Sequence, residues 1–386
     1  MLSLGIFFVT KVNGQDRIIT TGVPFLLITP DARAAGMGEQ GVATSPDSYA
    51  QQWNPAKYAF SKSNSGLGLS YTPYLRKLVD DIFLGSLTFF NRINVRSAWA
   101  TSLKYFSYGN VQFNNIMAGT IIDQGSKRPN EITLDLSYSL KLSESFAMAV
   151  AGRFLRSDLK IHTDMDATSA NSLGVDIAGF YQSSTFDIGK FDGLARAGFN
   201  ISNIGPRLKY DEGGQMDFIP TNLRVGTGMD LIFDKFNILG VYLEFSKLLV
   251  PTPVMFLDHN NQPQGYRQPD INFFNGIFRS FNDAPGGIKE ELKEITWALG
   301  VEYTFAETLA IRTGYFNESE EKGSRRYMTF GAGLELNGIT IDISYLSSTS
   351  KIRNPLENTL RFSLSFNFDG FSKASEVEEV PAYISE

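Results

Sequence analysis

Cysteine is absent from this 386-residue chain and histidine occurs only twice, at His162 and His259. Disulfides and thiolate metal sites are thereby excluded. A serine–histidine hydrolase needs a base at hydrogen-bond distance from its nucleophile and an acid to orient it. His162 has Asp158, Asp164 and Asp166 nearby, but no nucleophile motif accompanies it. The acidic stretch reads as a solvated loop, so no catalytic or metal-ligating residue and no cofactor is expected. No run of about 18 apolar residues occurs, which excludes a helical membrane span. It does not exclude a barrel, where half of each strand is polar. A basic stripe is missing too, and the net charge is −6, which argues against nucleic acid as a partner.

What the chain does have is aromatic residues and glycine: 31 Phe, 16 Tyr and 35 Gly. The apolar residues alternate. In "NTLRFSLSFNF" (358–368), Leu360, Phe362, Leu364, Phe366 and Phe368 interleave with Arg361, Ser363, Ser365 and Asn367. In "EITLDLSYSLKL" (131–142), the apolar residues interleave with Thr133, Asp135, Ser137, Ser139 and Lys141. Period two means a β-strand with one apolar and one polar face. About fourteen such segments are expected, near 66–73, 81–90, 95–106, 131–142, 145–156, 172–184, 193–203, 221–232, 236–248, 295–305, 308–317, 326–336, 338–347 and 358–368. Many are long enough to cross a bilayer when tilted.

Connection lengths separate a protein core from lipid. Tight turns at 91–94, 143–144, 234–236, 306–308 and 337–338 alternate with long segments at 107–130, 157–171, 204–220, 249–294, 318–325 and 348–357. An outer-membrane barrel places short turns at its periplasmic end and long loops outside. On this reading the Leu/Phe faces meet hydrocarbon. The isolated Arg224, Asp230, Glu302, Arg312, Asp342 and Arg361 then face a lumen lined by small residues, narrow enough to be packed or plugged. Phe368 closes the last strand with an aromatic residue. An even strand number returns both ends of the chain to the periplasm.

Four segments follow: a signal peptide at 1–14, a plug or hatch at 15–64, the barrel at 65–368 and a disordered periplasmic tail at 369–386. The h-region at 2–9 and the small residues before Gln15 suggest export, although a basic n-region is missing. The 15–64 segment is not strand-like. Its small residues, glycines and Ser-Pro-Asp helix start suggest compact turns and short helices. Trp53, Asn54 and Pro55 are its candidate functional residues, with Tyr58 and Phe60 beside them. They either line a solute groove or dock the segment against the wall.

"WNPA" (53–56) resembles the Asn-Pro-Ala element in the hatch of FadL-like transporters. The longer "DARAAGMGEQGVATSPDSYAQQWNPA" (31–56) is similar to the PorV family of the type IX secretion system. That resemblance implies an all-β, outer-membrane antiparallel barrel of about 14 strands with an N-terminal hatch. It implies a carrier and not an enzyme: a shuttle that accepts substrates at the translocon channel by their C-terminal signal domain. The shuttle then passes them to a sortase-like surface attachment complex. Its alternatives are FadL-like transport of hydrophobic solutes and lipid A deacylation. Lys57 and Tyr58 depart from the small residue that often follows the motif in transporters.

For partner binding the candidate is the 249–294 loop. In "INFFNGIFRSF", Phe273, Phe274, Ile277, Phe278 and Phe281 form one apolar helical face. Such a face in an external loop needs a partner, the membrane rim or the barrel mouth to cover it. The following "GGIKEELKEI" (286–295) reads as a charged, solvated helix.

Overall fold

The computed structural model describes residues 18–75, 79, 81–117, 120–159, 169–210, 216–257, 262–350, 357 and 359–369. Fourteen antiparallel strands close into a barrel. They are β1 Ser65–Pro73, β2 Ile82–Arg92, β3 Ser97–Tyr108, β4 Asn130–Lys141, β5 Phe146–Asp158, β6 Ala170–Gln182 and β7 Asp192–Ile204. The second half is β8 Asn222–Ile232, β9 Asn237–Leu248, β10 Thr296–Phe305, β11 Leu309–Asn317, β12 Arg326–Leu336, β13 Ile339–Ser348 and β14 Leu360–Asn367. Each pairs with its neighbour in sequence, and β1 closes on β14 from Gly66↔Asn367 to Tyr71↔Phe362. Every expected strand is present, with ends within two residues of the sequence reading.

The two faces are inverted relative to a soluble protein. Along β4, Leu134, Leu136, Tyr138 and Leu140 are exposed while Glu131, Thr133, Asp135, Ser137 and Ser139 are at most 3% exposed. Along β14, Leu360 and Phe362 are exposed and Arg361 is 1% exposed. Water would not tolerate such a belt, since apolar area prefers to leave it. Hydrocarbon does. No helix among the described residues is long and apolar enough to cross a membrane.

One end of the barrel carries the short connections, at 93–96, 142–145, 183–191, 233–236, 306–308 and 337–338. Asn337 and Gly338, both with positive φ, form the two-residue turn that matches strand twist. The long connections lie at the other end. Two of them contain hairpins that the sequence pattern does not reveal, Val111–Met117 with Thr120–Lys127 and Val254–Leu257 with Pro263–Arg267.

Residues 18–64 run through the barrel. Gly22 donates to the Phe218 carbonyl at the long-connection end, and Phe25 and Leu26 pack there with Leu84, Phe106 and Ile219. At the other end Arg92 donates to the Ser61 carbonyl, and β1 begins. The first described residues and the end of β14 therefore lie at opposite ends of the barrel. An even strand number constrains only the strands, and the preceding segment crosses the lumen once more.

Glycines on the inner wall make room for it. A Cβ at Gly314 would lie 2.2 Å from the Gly38 nitrogen, and one at Gly198 would lie 2.4 Å from the Val42 oxygen. No side chain fits at either position.

Candidate functional site

The inner segment is built from short pieces: a 3-10 turn Pro24–Leu27, helices α1 Ala32–Ala35 and α2 Ala50–Trp53, and a 3-10 helix Pro55–Phe60. Asp31 caps α1 by accepting from the Ala34 N–H at 2.8 Å, and it also accepts from Trp53 Nε1 at 2.8 Å. Asn54 fixes the entry to the second 3-10 helix. It accepts from the Ala56 N–H and donates to the carbonyls of Val42 (3.0 Å) and Gly179 (2.9 Å). Pro55 takes the first position of that helix, where a missing N–H costs nothing. Trp53, Asn54, Pro55 and Tyr58 are all buried, and Tyr58 stacks on Phe90 while Phe60 meets Phe180 edge-on. These residues dock the segment against β2, β6 and β7. Lys57, absent from the transporter pattern, is fully buried and donates to the Gly41 carbonyl and the Thr44 hydroxyl.

Charge in the lumen is paired. Arg33 donates to both Glu302 oxygens at 3.0 and 2.7 Å and reaches Asp47 at 2.7 Å; Arg312 joins Glu302 (2.5 Å) to Asp342 (2.6 Å). Arg153 links Asp135, Asp176 and Asn203, and Arg196 meets Asp230 at 2.5 Å. Glu39 accepts from Arg361 at 2.5 Å and from the Tyr327 hydroxyl at 2.7 Å. Buried ions persist only when partnered in this way. The result is a rigid polar interior joining the inner segment to the wall.

The long-connection end differs. Helix α3, Phe273–Arg279, is capped by Asn272 and seated through buried Gly276, where a Cβ would meet the Phe218 ring at 2.7 Å. This seat turns Phe274 (57%), Phe278 (74%) and Phe281 (50%) outward, while Phe273 and Ile277 are half-buried. Three of the five candidate aromatic and aliphatic residues thus share an exposed face.

Helix α4, Ile288–Lys293, reverses the sequence reading. Its glutamates point inward: Glu291 receives Lys247 (2.9 Å) and the N–H groups of Asp283 and Ala284. Glu294 receives Lys247 (2.7 Å) and Lys322 (3.1 Å), and Lys322 also meets Glu290 at 2.6 Å. Its apolar Ile288 and Leu292 are exposed instead, at 75% and 62%. Lys247 and Lys322 at the barrel mouth require counterions, and that demand rotates the helix. The spacing of Ile288 and Leu292, four apart, is the signal that reveals the outer face.

Phe368 is half-exposed beyond β14. His162 and His259 lie outside the described residues, as do the expected signal peptide and nearly all of the expected tail.

A closed fourteen-stranded barrel, apolar outside and ionic within, defines an outer-membrane β-barrel protein. Crystal structures with the same fold include the P. putida toluene transporter TodX. This chain is 12% identical to it, with a TM-score of 0.52, covering 89% of this chain and 99% of that one. A TodX deltaS2S3 mutant matches at 12% identity and TM-score 0.51, over 87% and 98% of the two chains. A Pseudomonas aeruginosa FadL homologue aligns over 92% and 100% at 12% identity and TM-score 0.48. No curated protein sequence matches. The family does emerge from the sequence: residues 11–255 match the family "Type IX secretion system protein PorV". The chain belongs to the PorV family, and its general role lies in type IX secretion.

Proposed function

We propose that this protein is a membrane-embedded shuttle of the type IX system, holding substrates by surface contact instead of conducting them. The long connections face outward from the cell and the short turns face the periplasm. Its docking surface binds the translocon channel and the C-terminal signal domain of cargo, then delivers cargo to a sortase-like attachment complex. Residues 15–64 act as a plug. A signal peptide at 1–14 directs export.

One observation carries this reading. Most charged groups of the lumen are paired with one another, whereas Phe274, Phe278, Phe281, Ile288 and Leu292 stand exposed on one loop. Apolar area at a mouth, flanked by ion pairs, is the composition of an interface centre. Affinity purification from native membranes tests it. The wild-type protein should retain a large channel partner and cargo, and the F274S/F278S/F281S variant should lose both while its barrel stays folded. Unchanged capture would sink the loop assignment.

Transport of hydrophobic solutes is the second reading, favoured by the shared fold with TodX and by a cavity of about 440 Å³ in the lumen. A disulfide lock separates the two. The Ala32 N–H donates to Ser363 Oγ at 2.7 Å, so cysteines at these two positions would tie the inner segment to β14. The shuttle tolerates this lock with secretion intact, and a conduit with a moving hatch does not.

A further inference from the structure

The 440 Å³ cavity lies between residues 18–29 and the inner wall of β8–β12, below the long-connection end. At that end it is lined by Glu294, Glu318, Lys322, Gly323 and Arg325. These residues come from two separate connections, the one that carries α4 and the one between β11 and β12. Lys322 joins the two, reaching Glu290 at 2.6 Å and Glu294 at 3.1 Å, and Lys293 pairs with Glu321 beside it. From the barrel rim Lys247 holds Glu291 at 2.9 Å and Glu294 at 2.7 Å.

What seats α4 is therefore charge. Its apolar side chains, Ile288 and Leu292, stand exposed and add nothing to the seat. A surface helix ordinarily docks the other way round, with its apolar stripe inward. Lifting such a helix would return that stripe to water at about 25 cal/mol per Å². Lifting α4 parts ions instead, and each regains hydration that offsets much of the lost attraction. The backbone just before the helix is free to turn. Gly286 and Gly287 adjoin, Gly287 has φ +67°, and a Cβ there would meet no atom within 4 Å. Such conformational freedom and clearance suit a hinge.

We propose that α4 is a lid on the cavity, hinged at Gly286–Gly287 and latched by Lys322 and Lys247. The latch sets whether the cavity opens toward the long-connection side, whatever enters it. It rests on neither the shuttle nor the conduit reading.

Thiol labelling tests it, because the chain has no cysteine of its own. Ala298→Cys places one thiol on the cavity wall, where Ala298 is 4% exposed. Leu292→Cys places one on the outer face of α4 as the accessible reference. Each full chain, in nanodiscs, would be labelled with neutral N-ethylmaleimide at about 0.1 M and about 1 M NaCl, which shortens the Debye length from about 10 to about 3 Å. At low salt the cavity thiol should react about tenfold or more slowly than the reference, and high salt should narrow the gap. Adding Lys322→Gln should speed the cavity thiol about tenfold at low salt, whereas Lys322→Arg should leave it slow. The heat-modifiable barrel band should persist throughout. Equal rates at the two thiols at low salt overturn the proposal. So does a cavity rate that Lys322→Gln leaves unchanged, or one that Lys322→Arg raises as much. If Lys322→Gln fails to fold, the salt series on Ala298→Cys decides, and a flat one overturns the latch.

Discussion

The lumen and the long-connection mouth treat their charged residues in similar ways and their apolar residues in opposite ones. In both, carboxylates and cations are matched: Arg33 and Arg312 around Glu302 inside, Lys247 and Lys322 around Glu294 above. Inside, aromatic residues such as Tyr58 and Phe90 are buried against the wall. At the mouth Phe274 and Phe278 are held out from it. The ion pairs are therefore structural in both places, and only the mouth presents a surface that another molecule would cover.

Removing a lumenal cation should have the largest effect on this contrast. Arg153→Met strands Asp135 and Asp176, each 1% exposed. Breaking a buried pair from one side costs about 3–5 kcal/mol. A lower urea midpoint for the heat-modifiable barrel band should report it. Next comes the mouth: F274S/F278S/F281S should reduce partner capture about tenfold or more, as for hot-spot aromatics. The urea midpoint should not move, and a shift would mean that these rings are structural after all.

The clasp around α4 is smaller and depends on pH. Burial pushes the Glu291 carboxyl up, but the Ala284 N–H and Lys247 outweigh this and hold it below its ordinary value. Burial pushes neighbouring Asp283 up, and Glu290, Glu294 and Lys322 complete the cluster. A depressed carboxyl stabilises the fold above its unfolded value, and that contribution is lost as the pH falls through the folded one. Protease nicking of the 249–295 loop should thus be slow at neutral pH and accelerate in that acidic window. Lys322→Gln should accelerate it at neutral pH. The smallest effect is expected at the short-turn end, where Lys62 and Glu307 pair in solvent at 88% and 67% exposure. Lys62→Ala should shift stability by less than about 1 kcal/mol, too little to move the midpoint clearly.

The barrel is legible in the sequence because its information is local. A period of two over ten residues, and turns such as Asn337–Gly338, need no knowledge of the rest of the chain. The family is legible through 31–56, whose small residues answer the glycines of the inner wall. The ion pairs are not, since Arg33 and Glu302 are 269 residues apart and nothing local joins them. Helix α4 is misread for the same reason: charges look solvated until Lys247 and Lys322 are placed beneath them. Arg224 is visible as an isolated inward charge, but its neighbours, the Trp53 ring and Glu244, appear only in the fold.

The passage of residues 22–61 from one rim to the other bears on biogenesis. A lumen this tightly occupied leaves no route by which Arg33, Trp53 and Lys57 could be drawn in after β1 has zipped to β14. The sheet must then curl around a strand of chain already laid along its concave side before its last seam closes, and in a sheet built in chain order that seam runs from Gly66↔Asn367 to Tyr71↔Phe362.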